Sequence, residues 1–378
     1  MKYRCWAEID LQALRENLAW LRHQIGSGVR IITVVKADAY GHGLKDIARL
    51  LMQSGTDVFG VANLAEAAAI RSVGQGWPIL MLGACLPHEV ESAVRDEVMP
   101  TISTLAEAKL FSRAALRLGK TARLHLKVDT GMGRLGMKST DALGLIKKMA
   151  CLPGIKVHGL FTHYSSAEDD ALFSRRQSKR FRDLVEAAKA SGVSIAMVHA
   201  NNSAAVLLHQ ETLYDAVRPG LLVYGVVPQG RRHIRQELGR RLRPVLSWRC
   251  RVSLVKTIER GAPVSYGHTF SAPRAMRVAV ITAGYGDGYL RAGSNQARVL
   301  IHGRRCRVLG RITMDQMIVD ATRIRGVKPG DEVVLIGRQG RDEITATELA
   351  SWFGTIPWEV LTNITYRVKR VYLGSHAS

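Results

Sequence analysis

The sequence lacks the features of a secreted disulfide protein, a metal centre or a membrane protein. Its five cysteines are far apart and form no CxxC pair, which argues against a disulfide framework or a zinc site and fits a reducing compartment. No uncharged apolar run approaches the length of a membrane span. The first ten residues, MKYRCWAEID, carry charges where a signal peptide needs an apolar run. We therefore predict a cytoplasmic protein without a metal or a membrane partner.

Acidic residues are also scarce. The chain has 32 Asp and Glu and 54 Lys and Arg, which give a net charge of +22. Such an excess raises the question of a nucleic-acid partner. The basic residues, however, are spread along the chain, and their densest cluster, 231–243, contains no aromatic residue for base stacking. The chain shows no zinc-finger or RRM-like signature. We therefore predict a solvated, Arg-rich segment and no nucleic-acid partner.

Short apolar runs alternate with amphipathic helical patterns through the first two-thirds of the chain. The predicted strands are 30–35, 57–61, 78–82, 98–102, 122–128, 157–162, 195–199 and 216–218. Two of the helical patterns, 11–25 and 64–71, each follow a candidate N-cap, Asp10 and Asn63. A strand and a helix repeated about eight times is the arrangement of a (β/α)8 barrel.

The pattern changes after the Arg-rich segment, and strand-like runs separated by glycine-rich turns dominate. These runs are 245–258, 276–282, 298–301, 306–309, 317–320 and 332–336. One helix is predicted at 346–353, because Thr345 can cap it, Glu348 can complete a capping box and Gly354 can end it. This second part therefore reads as a mainly β domain.

The predicted fold class is α/β, with a TIM-like (β/α)8 barrel followed by a mainly β C-terminal domain. A chain of 378 residues with 47% hydrophobic content is long enough for two such units. We assign residues 1–240 to the barrel, with 1–9 as a strand that joins the C-terminal domain. Residues 241–378 form the β domain.

A lysine directly follows the first predicted barrel strand, in the segment VVKADAYGHG. Lys36 would thus lie at the C-terminal mouth of the barrel, where such barrels keep their active sites. Desolvation there lowers the pKa of a lysine and makes it a Schiff-base nucleophile, although a surface lysine at a strand end is the alternative. Tyr40, Gly41 and Gly43 favour a ligand site, because glycine permits a close approach of the backbone.

Polar groups also follow other barrel strands. The segment KVDTGMGRLG is a strand that ends in a glycine-rich loop and presents Arg134, a side chain suited to binding a carboxylate. Lys127 in this segment can equally be a buried lysine paired with Asp129. His163 and His199 end two successive strands, and no carboxylate cluster accompanies them as a metal site would need.

These motifs, in this order, resemble those of the alanine racemases, and the resemblance extends over nearly the whole chain. VVKADAYGHG is similar to the lysine motif that holds pyridoxal 5′-phosphate (PLP) in that family, so PLP is the implied cofactor and Lys36 its attachment point. The segment SYG resembles the catalytic tyrosine segment. The resemblance implies a two-base racemisation in which Lys36 serves the D-side and Tyr266 the L-side of the substrate.

The resemblance also implies an arginine, Arg218, at the pyridine nitrogen of PLP, where most PLP enzymes place a carboxylate. Arginine does not readily give up a proton, so the ring nitrogen stays unprotonated and simple reprotonation of the substrate is favoured. A chain from Tyr266 through His163 to Arg218 would stabilise the phenolate. The implied catalytic residues are Lys36, Tyr266, Arg218 and His163.

Further site residues follow from the resemblance alone. The implied cofactor-binding residues are Lys36, Tyr40, Arg134, His163, Asn202, Ser203, Arg218, Gly220, Leu221 and Tyr366. The implied substrate-binding residues are Arg134, Met314, Tyr266 and Tyr285. The lysine that matches Lys127 is carbamylated in some members, so Lys127 is a candidate for that modification.

The family resemblance implies a homodimer with shared active sites, because the catalytic tyrosine comes from the partner subunit. It also implies a role in supplying D-alanine for peptidoglycan. Alternatives are a racemase of serine or basic amino acids, a PLP decarboxylase of the same architecture and a single-barrel PLP carrier. The chain departs from the family at Lys369, where proline is common, and at Glu168, where aspartate is common, which leaves the substrate range open.

Overall fold

The computed structural model describes residues 3–208, 213–227 and 241–374, which form two large sheets. After β1 (Cys5–Asp10), the first sheet contains β2 (Arg30–Val34), β3 (Val58–Val61), β4 (Ile79–Ala84), β5 (Val98–Ile102), β6 (Ala122–Asp129), a short β7 (Met137–Lys138), β8 (Ile155–Phe161), β9 (Met197–Asn202) and β10 (Ala216–Arg218). All pairings in this sheet are parallel, and β5 pairs with β6 to close a barrel. The eight predicted barrel strands are thereby confirmed.

Helices connect the barrel strands. They are α1 (Leu11–Ile25), α2 (Lys36–Gly41), α3 (Leu44–Met52), α4 (Leu64–Arg71), α5 (Val90–Arg95), α6 (Leu105–Arg117), α7 (Ala142–Ala150), α8 (Ala171–Ala190) and α9 (Ser203–Leu208). The predicted caps are present, since Asp10 accepts a hydrogen bond from the Ala13 amide at 2.8 Å and Asn63 accepts one from Glu66 at 3.0 Å. No described helix is both long and apolar enough to cross a membrane.

The second sheet forms the predicted β domain. Its strands are β11 (Leu246–Ile258), β14 (Met276–Ile281), β15 (Arg298–Ile301), β16 (Arg304–Leu309), β17 (Met317–Asp320), β18 (Glu332–Gln339), β19 (Asp342–Ile344) and β20 (Lys369–Leu373), while β12 (Pro263–Val264) and β13 (Phe270–Ser271) form a separate pair. The strand β1 belongs to this sheet, where it pairs antiparallel with β11 and parallel with β20. Residues that precede the barrel thus complete the second sheet.

Two short helices, α10 (Ala346–Phe353) and α11 (Pro357–Thr362), follow β19. As predicted, Thr345 caps α10 by accepting a hydrogen bond from the Glu348 amide at 3.0 Å, and Gly354 ends the helix at a φ of 68°. The predicted capping box is wrong in its second half, because the Glu348 carboxylate binds the guanidinium of Arg305. The carboxylate therefore meets the full positive charge of a guanidinium instead of the backbone amide that a capping box requires.

Most of the predicted Arg-rich segment falls outside the described residues, including Arg231, Arg232, Arg235 and Arg240. Within the described part, Arg243 pairs with Asp10 at 2.8 Å and with Glu16 at 2.6 Å. These ion pairs join the start of the β domain to the first barrel helix.

A buried asparagine in α1 reinforces the same junction. The amide nitrogen of Asn17 donates to the carbonyls of Val223 at 3.1 Å and Arg243 at 2.8 Å, and its oxygen accepts from the Arg243 amide at 2.9 Å. A buried backbone group that loses its partner keeps the full cost of desolvation. Asn17 therefore provides hydrogen-bond partners for backbone groups that would otherwise be unpaired where the chain leaves the barrel.

We expect Asn17→Leu to lower the free energy of unfolding by roughly 2–4 kcal/mol, because it leaves buried backbone groups unpaired. Urea unfolding followed by circular dichroism measures the change. Gln12→Ala is the matched control, since Gln12 is exposed in the same helix and bonds only Glu16. An Asn17→Leu variant as stable as the control would contradict this account.

Candidate active site

Polar side chains from several strand ends meet at one mouth of the barrel and line a cavity of about 400 Å³. Ten predicted site residues line it: Lys36, Tyr40, Lys127, Arg134, His163, Asn202, Ser203, Arg218, Gly220 and Leu221. They follow or end the strands β2, β6, β8, β9 and β10. The carboxyl ends of barrel strands meet at one face, so strand positions predicted that Lys36, Arg134 and His163 would meet here. The family resemblance alone implied Asn202, Ser203, Arg218, Gly220 and Leu221.

The backbone after Lys36 adopts an unusual conformation. Residues 37–40 in α2 all have φ between 52° and 54°, which makes this a left-handed turn. Such a conformation costs about 1–2 kcal/mol per non-glycine residue, so neighbouring contacts must hold it. The Ala37 amide donates to Glu66 at 2.7 Å, and the Asp38 carboxylate accepts at 2.7 Å from the amide at the start of α3. The turn brings Lys36 to the cavity and carries Tyr40 into a buried position.

The amine of Lys36 lies in a partly desolvated and positive environment. Burial lowers its pKa, and the nearby cation Arg134 lowers it further, while Glu66 acts in the opposite direction. A lowered pKa increases the neutral fraction of the amine at neutral pH. This state is the one that attacks a carbonyl carbon or accepts a proton.

The guanidinium of Arg218 is buried, and its bonding partners among the described residues are neutral acceptors. It donates to the carbonyls of Thr162 and Ala200, both at 2.7 Å, and to Nδ1 of His199 at 2.6 Å. Within the described part of the chain, no carboxylate pairs with it. Burial lowers the pKa of Arg218 to about 9, which still leaves the side chain charged at neutral pH.

Burial and this nearby charge together determine the state of the histidines around it. The guanidinium nitrogen that donates to Thr162 and Ala200 also lies 3.3 Å from Nδ1 of His163. Burial and then the Arg218 charge hold the pKa values of His163 and His199 well below their ordinary value. Both imidazoles are therefore neutral, and His199 presents an unprotonated Nδ1 to the guanidinium.

A small cradle of hydroxyl and amide groups lies between β9 and β10. The Oγ of Ser203 accepts a hydrogen bond from the Gly220 amide at 2.9 Å, which leaves its own O–H free to donate. A Cβ atom at residue 220 would lie 2.5 Å from the hydroxyl oxygen of Tyr40, so only glycine fits there. The Asn202 side chain supports the cradle by bonding to the Tyr164 carbonyl and the Ala205 amide.

Lys127 and Arg218 lie near the same aromatic ring. The Nζ of Lys127 is 5.1 Å from the ring centroid of Phe161, and the guanidinium carbon of Arg218 is 5.2 Å from it. Burial, followed by the charges of Arg218 and Arg134, lowers the pKa of Lys127 to about 7. The lysine is therefore partly neutral at neutral pH.

The predicted alternative role for Asp129, as the partner of Lys127, has little geometric support. The Asp129 carboxylate instead accepts hydrogen bonds from the amides of Gly131, Met132 and Gly133, at 2.8 to 3.1 Å. These bonds shape the glycine-rich loop that carries Arg134 to the cavity.

Four predicted site residues do not line the barrel cavity. They form a separate exposed group, the tyrosine patch, which consists of Tyr266, Tyr285, Met314 and Tyr366. Tyr266 is 70% exposed and Tyr366 is 96% exposed, values that are high for large apolar side chains. Within one chain, the structure thus brings the cavity residues together and leaves the predicted catalytic tyrosine outside them.

Hydrogen bonds between the supporting loops hold the tyrosine patch together. The Gly286 amide donates to the Met314 carbonyl at 2.8 Å, and the Thr365 amide donates to the Asp287 carbonyl at 3.1 Å. The loop that carries Tyr266 is held by Ser265, whose Oγ donates to the carbonyl of Arg311 at 2.5 Å. Hydrogen bonds within the β domain therefore fix the loops that carry the tyrosine patch.

Several cavity residues had no predicted role, and two of them, Trp358 and Phe161, are aromatic. Trp358 comes from α11, and no local signal in the sequence connects that helix to the barrel mouth. Phe161 belongs to a predicted strand, but its place between two cations becomes visible only in three dimensions. Glu168, noted only as a departure, also lines the cavity, and burial raises its pKa to about 7.

Two family models together match most of the chain. The alanine racemase N-terminal domain matches residues 9–228, and the alanine racemase C-terminal domain matches residues 245–372. The chain is 39% identical over 368 residues to the alanine racemase of Halothermothrix orenii, covering 97% of this chain and 96% of the relative. It is 42% identical over 373 residues to that of Symbiobacterium thermophilum, covering 98% of each.

Solved structures give the same result. The alanine racemase of the D-cycloserine producer Streptomyces lavendulae has a TM-score of 0.93 and 35% identity, covering 100% of this chain and 98% of that one. The alanine racemase of Bartonella henselae, solved with covalently bound pyridoxal phosphate, has a TM-score of 0.89 and 28% identity, covering 98% of this chain and 100% of that one.

The lowered pKa of Lys127 is testable by chemical labelling. We expect its reactivity toward acetic anhydride, in buffer free of carbon dioxide, to rise with pH and reach its half-maximum near pH 7. The neutral amine is the reactive form, and a free lysine side chain reaches its half-maximum near pKa ~10.4. Mass spectrometry of the Lys127 peptide, with N-acetyl-lysine amide as the control, measures both curves. Coincident curves would show that the site does not perturb this lysine.

Proposed function

The chain belongs to the alanine racemase family, and on that premise we propose that it interconverts L-alanine and D-alanine with PLP as its cofactor. The observation that carries this proposal is the buried Arg218 at the barrel mouth, without a carboxylate partner among the described residues. A decarboxylase of the same architecture would place a carboxylate at the pyridine nitrogen. The product D-alanine would supply peptidoglycan synthesis.

The cavity residues fit PLP. Lys36, with its lowered pKa, would hold the cofactor through its amine. The O–H of Ser203 and the Leu221 amide would bind the phosphate, and the Gly220 amide would exchange its bond to Ser203 for one to a phosphate oxygen, with Tyr40 and Asn202 in support. The absence of a side chain at residue 220 keeps this cradle open beside the Tyr40 hydroxyl.

When bound, PLP supplies the electron sink that makes the α-hydrogen of an amino acid acidic enough to remove. We propose that Arg218 faces the pyridine nitrogen. A guanidinium can donate but cannot accept a proton, and its pKa of about 9 keeps it charged, so the nitrogen would stay unprotonated. This arrangement limits the withdrawal of electrons into the ring and favours return of the proton to the same carbon.

Racemisation needs one proton-transfer group on each face of the substrate. We assign Lys36 to the D-side and Tyr266 to the L-side. An unperturbed phenol has a pKa near ~10, so Tyr266 needs help to act as a base. Nδ1 of His163 lies 3.3 Å from the Arg218 guanidinium, which has no acceptor, so we propose that the His163 proton is on Nε2. That N–H would donate to the Tyr266 oxygen and stabilise the phenolate.

Substrate recognition would use Arg134 from the barrel, with Met314 and Tyr285 from the tyrosine patch. The Met314 amide and the Arg134 guanidinium would bind the substrate carboxylate. Lys127 is proposed to be carbamylated, since a pKa of about 7 leaves enough neutral amine to react with carbon dioxide. The resulting anion would orient Arg134.

We propose a head-to-tail homodimer in which the tyrosine patch of one subunit closes the cavity of the other. The patch is exposed, preorganised by loop hydrogen bonds and distinct from the cavity in its own chain. Burying it against a second barrel would remove large aromatic side chains from water, which favours association. Tyr266 would thus act in the partner's site.

We also propose how the chain is organised and where it is located. We place the domain boundary between residues 240 and 241, with residues 1–9 joined to the β domain through β1. We propose a cytoplasmic location, which agrees with the free state of all five cysteines.

A racemase of basic amino acids is the second candidate, because one observation favours it. The Glu168 carboxyl lines the cavity, where it could pair with a cationic substrate side chain. Its raised pKa of about 7 weakens this pairing at neutral pH, since the carboxyl is then about half protonated. Alanine, whose side chain needs no partner, remains the preferred substrate.

A chiral assay on the PLP-loaded protein tests the proposed function. L-alanine, L-serine, L-lysine and L-arginine are offered separately, and formation of each D-isomer is followed by chiral chromatography. We expect rapid formation of D-alanine and little product from the others. Product mainly from lysine or arginine would favour the second candidate, and no D-product despite bound PLP would refute a racemase.

Two variants test the assignment of the bases. Lys36→Ala should lose covalently held PLP, seen in the absorbance spectrum, together with all racemisation. Tyr266→Phe should retain the bound cofactor and lose roughly 10²–10⁴-fold in one direction of α-proton exchange, the range for a positioned general base. Exchange in deuterated water, starting separately from L- and D-alanine, measures each direction. Wild-type exchange from both isomers in Tyr266→Phe would exclude this role for the tyrosine.

A further inference from the structure

Two buried histidines extend from Arg218 into the barrel. The first, His199 in β9, binds Arg218 through Nδ1 at 2.6 Å. The second, His125 in β6, has its Nδ1 at 2.9 Å from Nε2 of His199. Both are completely buried, and neither lines the cavity. They therefore touch neither cofactor nor substrate directly.

The positions of the protons follow from the donors and acceptors. A guanidinium only donates, so Nδ1 of His199 must accept and its proton must be on Nε2. That N–H donates to Nδ1 of His125, whose own proton is consequently on its Nε2. Burial and nearby cations hold the pKa values of both imidazoles well below the ordinary value, so a neutral pair is the consistent state.

Two features of the structure, one a cost in free energy and one a restriction on a neighbouring residue, accompany His125. Its Nε2 is buried and has no hydrogen-bond partner among the described residues, an arrangement that costs free energy. In addition, the neighbouring strand β8 has a glycine at residue 159, where a Cβ atom would overlap Nδ1 of His125. An apolar side chain at residue 125 would fill the barrel core without leaving a buried nitrogen unpaired.

We propose that His125 is a positioning residue for Arg218. By accepting from Nε2 of His199, it helps the guanidinium to keep the His199 proton on Nε2, the tautomer in which Nδ1 can accept from Arg218. If His199 carried its proton on Nδ1, two N–H groups would face each other and Arg218 would lose one of its buried bonds. The importance of this position rests on the proposed function, in which Arg218 faces the pyridine nitrogen of PLP.

The test compares His125→Leu with His125→Asn in the PLP-loaded protein. Asparagine places an acceptor oxygen near the position of Nδ1, whereas leucine offers none. Proteins labelled with ¹⁵N-histidine report by NMR which nitrogen of His199 carries the proton. We expect Nε2 in the wild type and in His125→Asn, and a mixture of both tautomers in His125→Leu. We also expect kcat to fall by about tenfold in the leucine variant with KM nearly unchanged, as loss of one hydrogen bond implies.

A second variant keeps the proposal testable should His125→Leu fail to fold. Gly159→Ala retains the imidazole but displaces it from His199, so it should give the same mixture of tautomers. Gly144→Ala in α7 is its control, because a Cβ atom there meets no other atom within 4 Å. A His199 that keeps its proton on Nε2 in both His125→Leu and Gly159→Ala would overturn the proposal.

The two proposals fail in different ways. A wild-type protein without racemase activity, but with the derived proton positions and their loss in the variants, would refute the proposed function and support the positioning by His125. Normal racemase activity together with a proton on Nδ1 of His199 in the wild type would support the proposed function and refute the positioning by His125.

Discussion

The buried charge of Arg218 is the constraint on which the site depends. Its guanidinium is surrounded by carbonyls and imidazoles, and a charge in such a place is tolerated only when its N–H groups are satisfied. The imidazoles must therefore stay neutral and present lone pairs. The same charge helps to depress the pKa of Lys127. Burial together with this one cation thus sets the protonation of the groups around it.

A second constraint is that the barrel mouth and the tyrosine patch are separate in one chain. The cavity holds the groups that fit a cofactor, and the patch holds the only assigned base for the opposite face of the substrate. Each part is locally rigid: the left-handed turn fixes Lys36, and loop hydrogen bonds fix the position of Tyr266. Assembly of two chains would join these rigid parts without reorganising either, which is how catalytic groups are held in a productive geometry.

Much of the fold and of the cavity could be predicted from the sequence, because both follow from local patterns. Alternating apolar runs located the barrel strands, and the position of Lys36 directly after a strand placed it at the barrel mouth. Long-range pairings could not be predicted in this way. The bond from Glu348 to Arg305 joins residues that are 43 positions apart, and the pair formed by His125 and His199 joins residues 74 apart. Periodicity reports which face of an element is buried, not which distant residue it meets.

The most direct test of a shared site is a mixed dimer of Lys36→Ala and Tyr266→Phe chains. The two chains carry different affinity tags, so the heterodimer can be isolated, and each homodimer serves as an inactive control. In a shared site, one cavity combines Lys36 of the second chain with Tyr266 of the first, so about half of the wild-type activity per dimer should return. A heterodimer as inactive as the two homodimers would show that both bases must come from one chain, and would contradict the account.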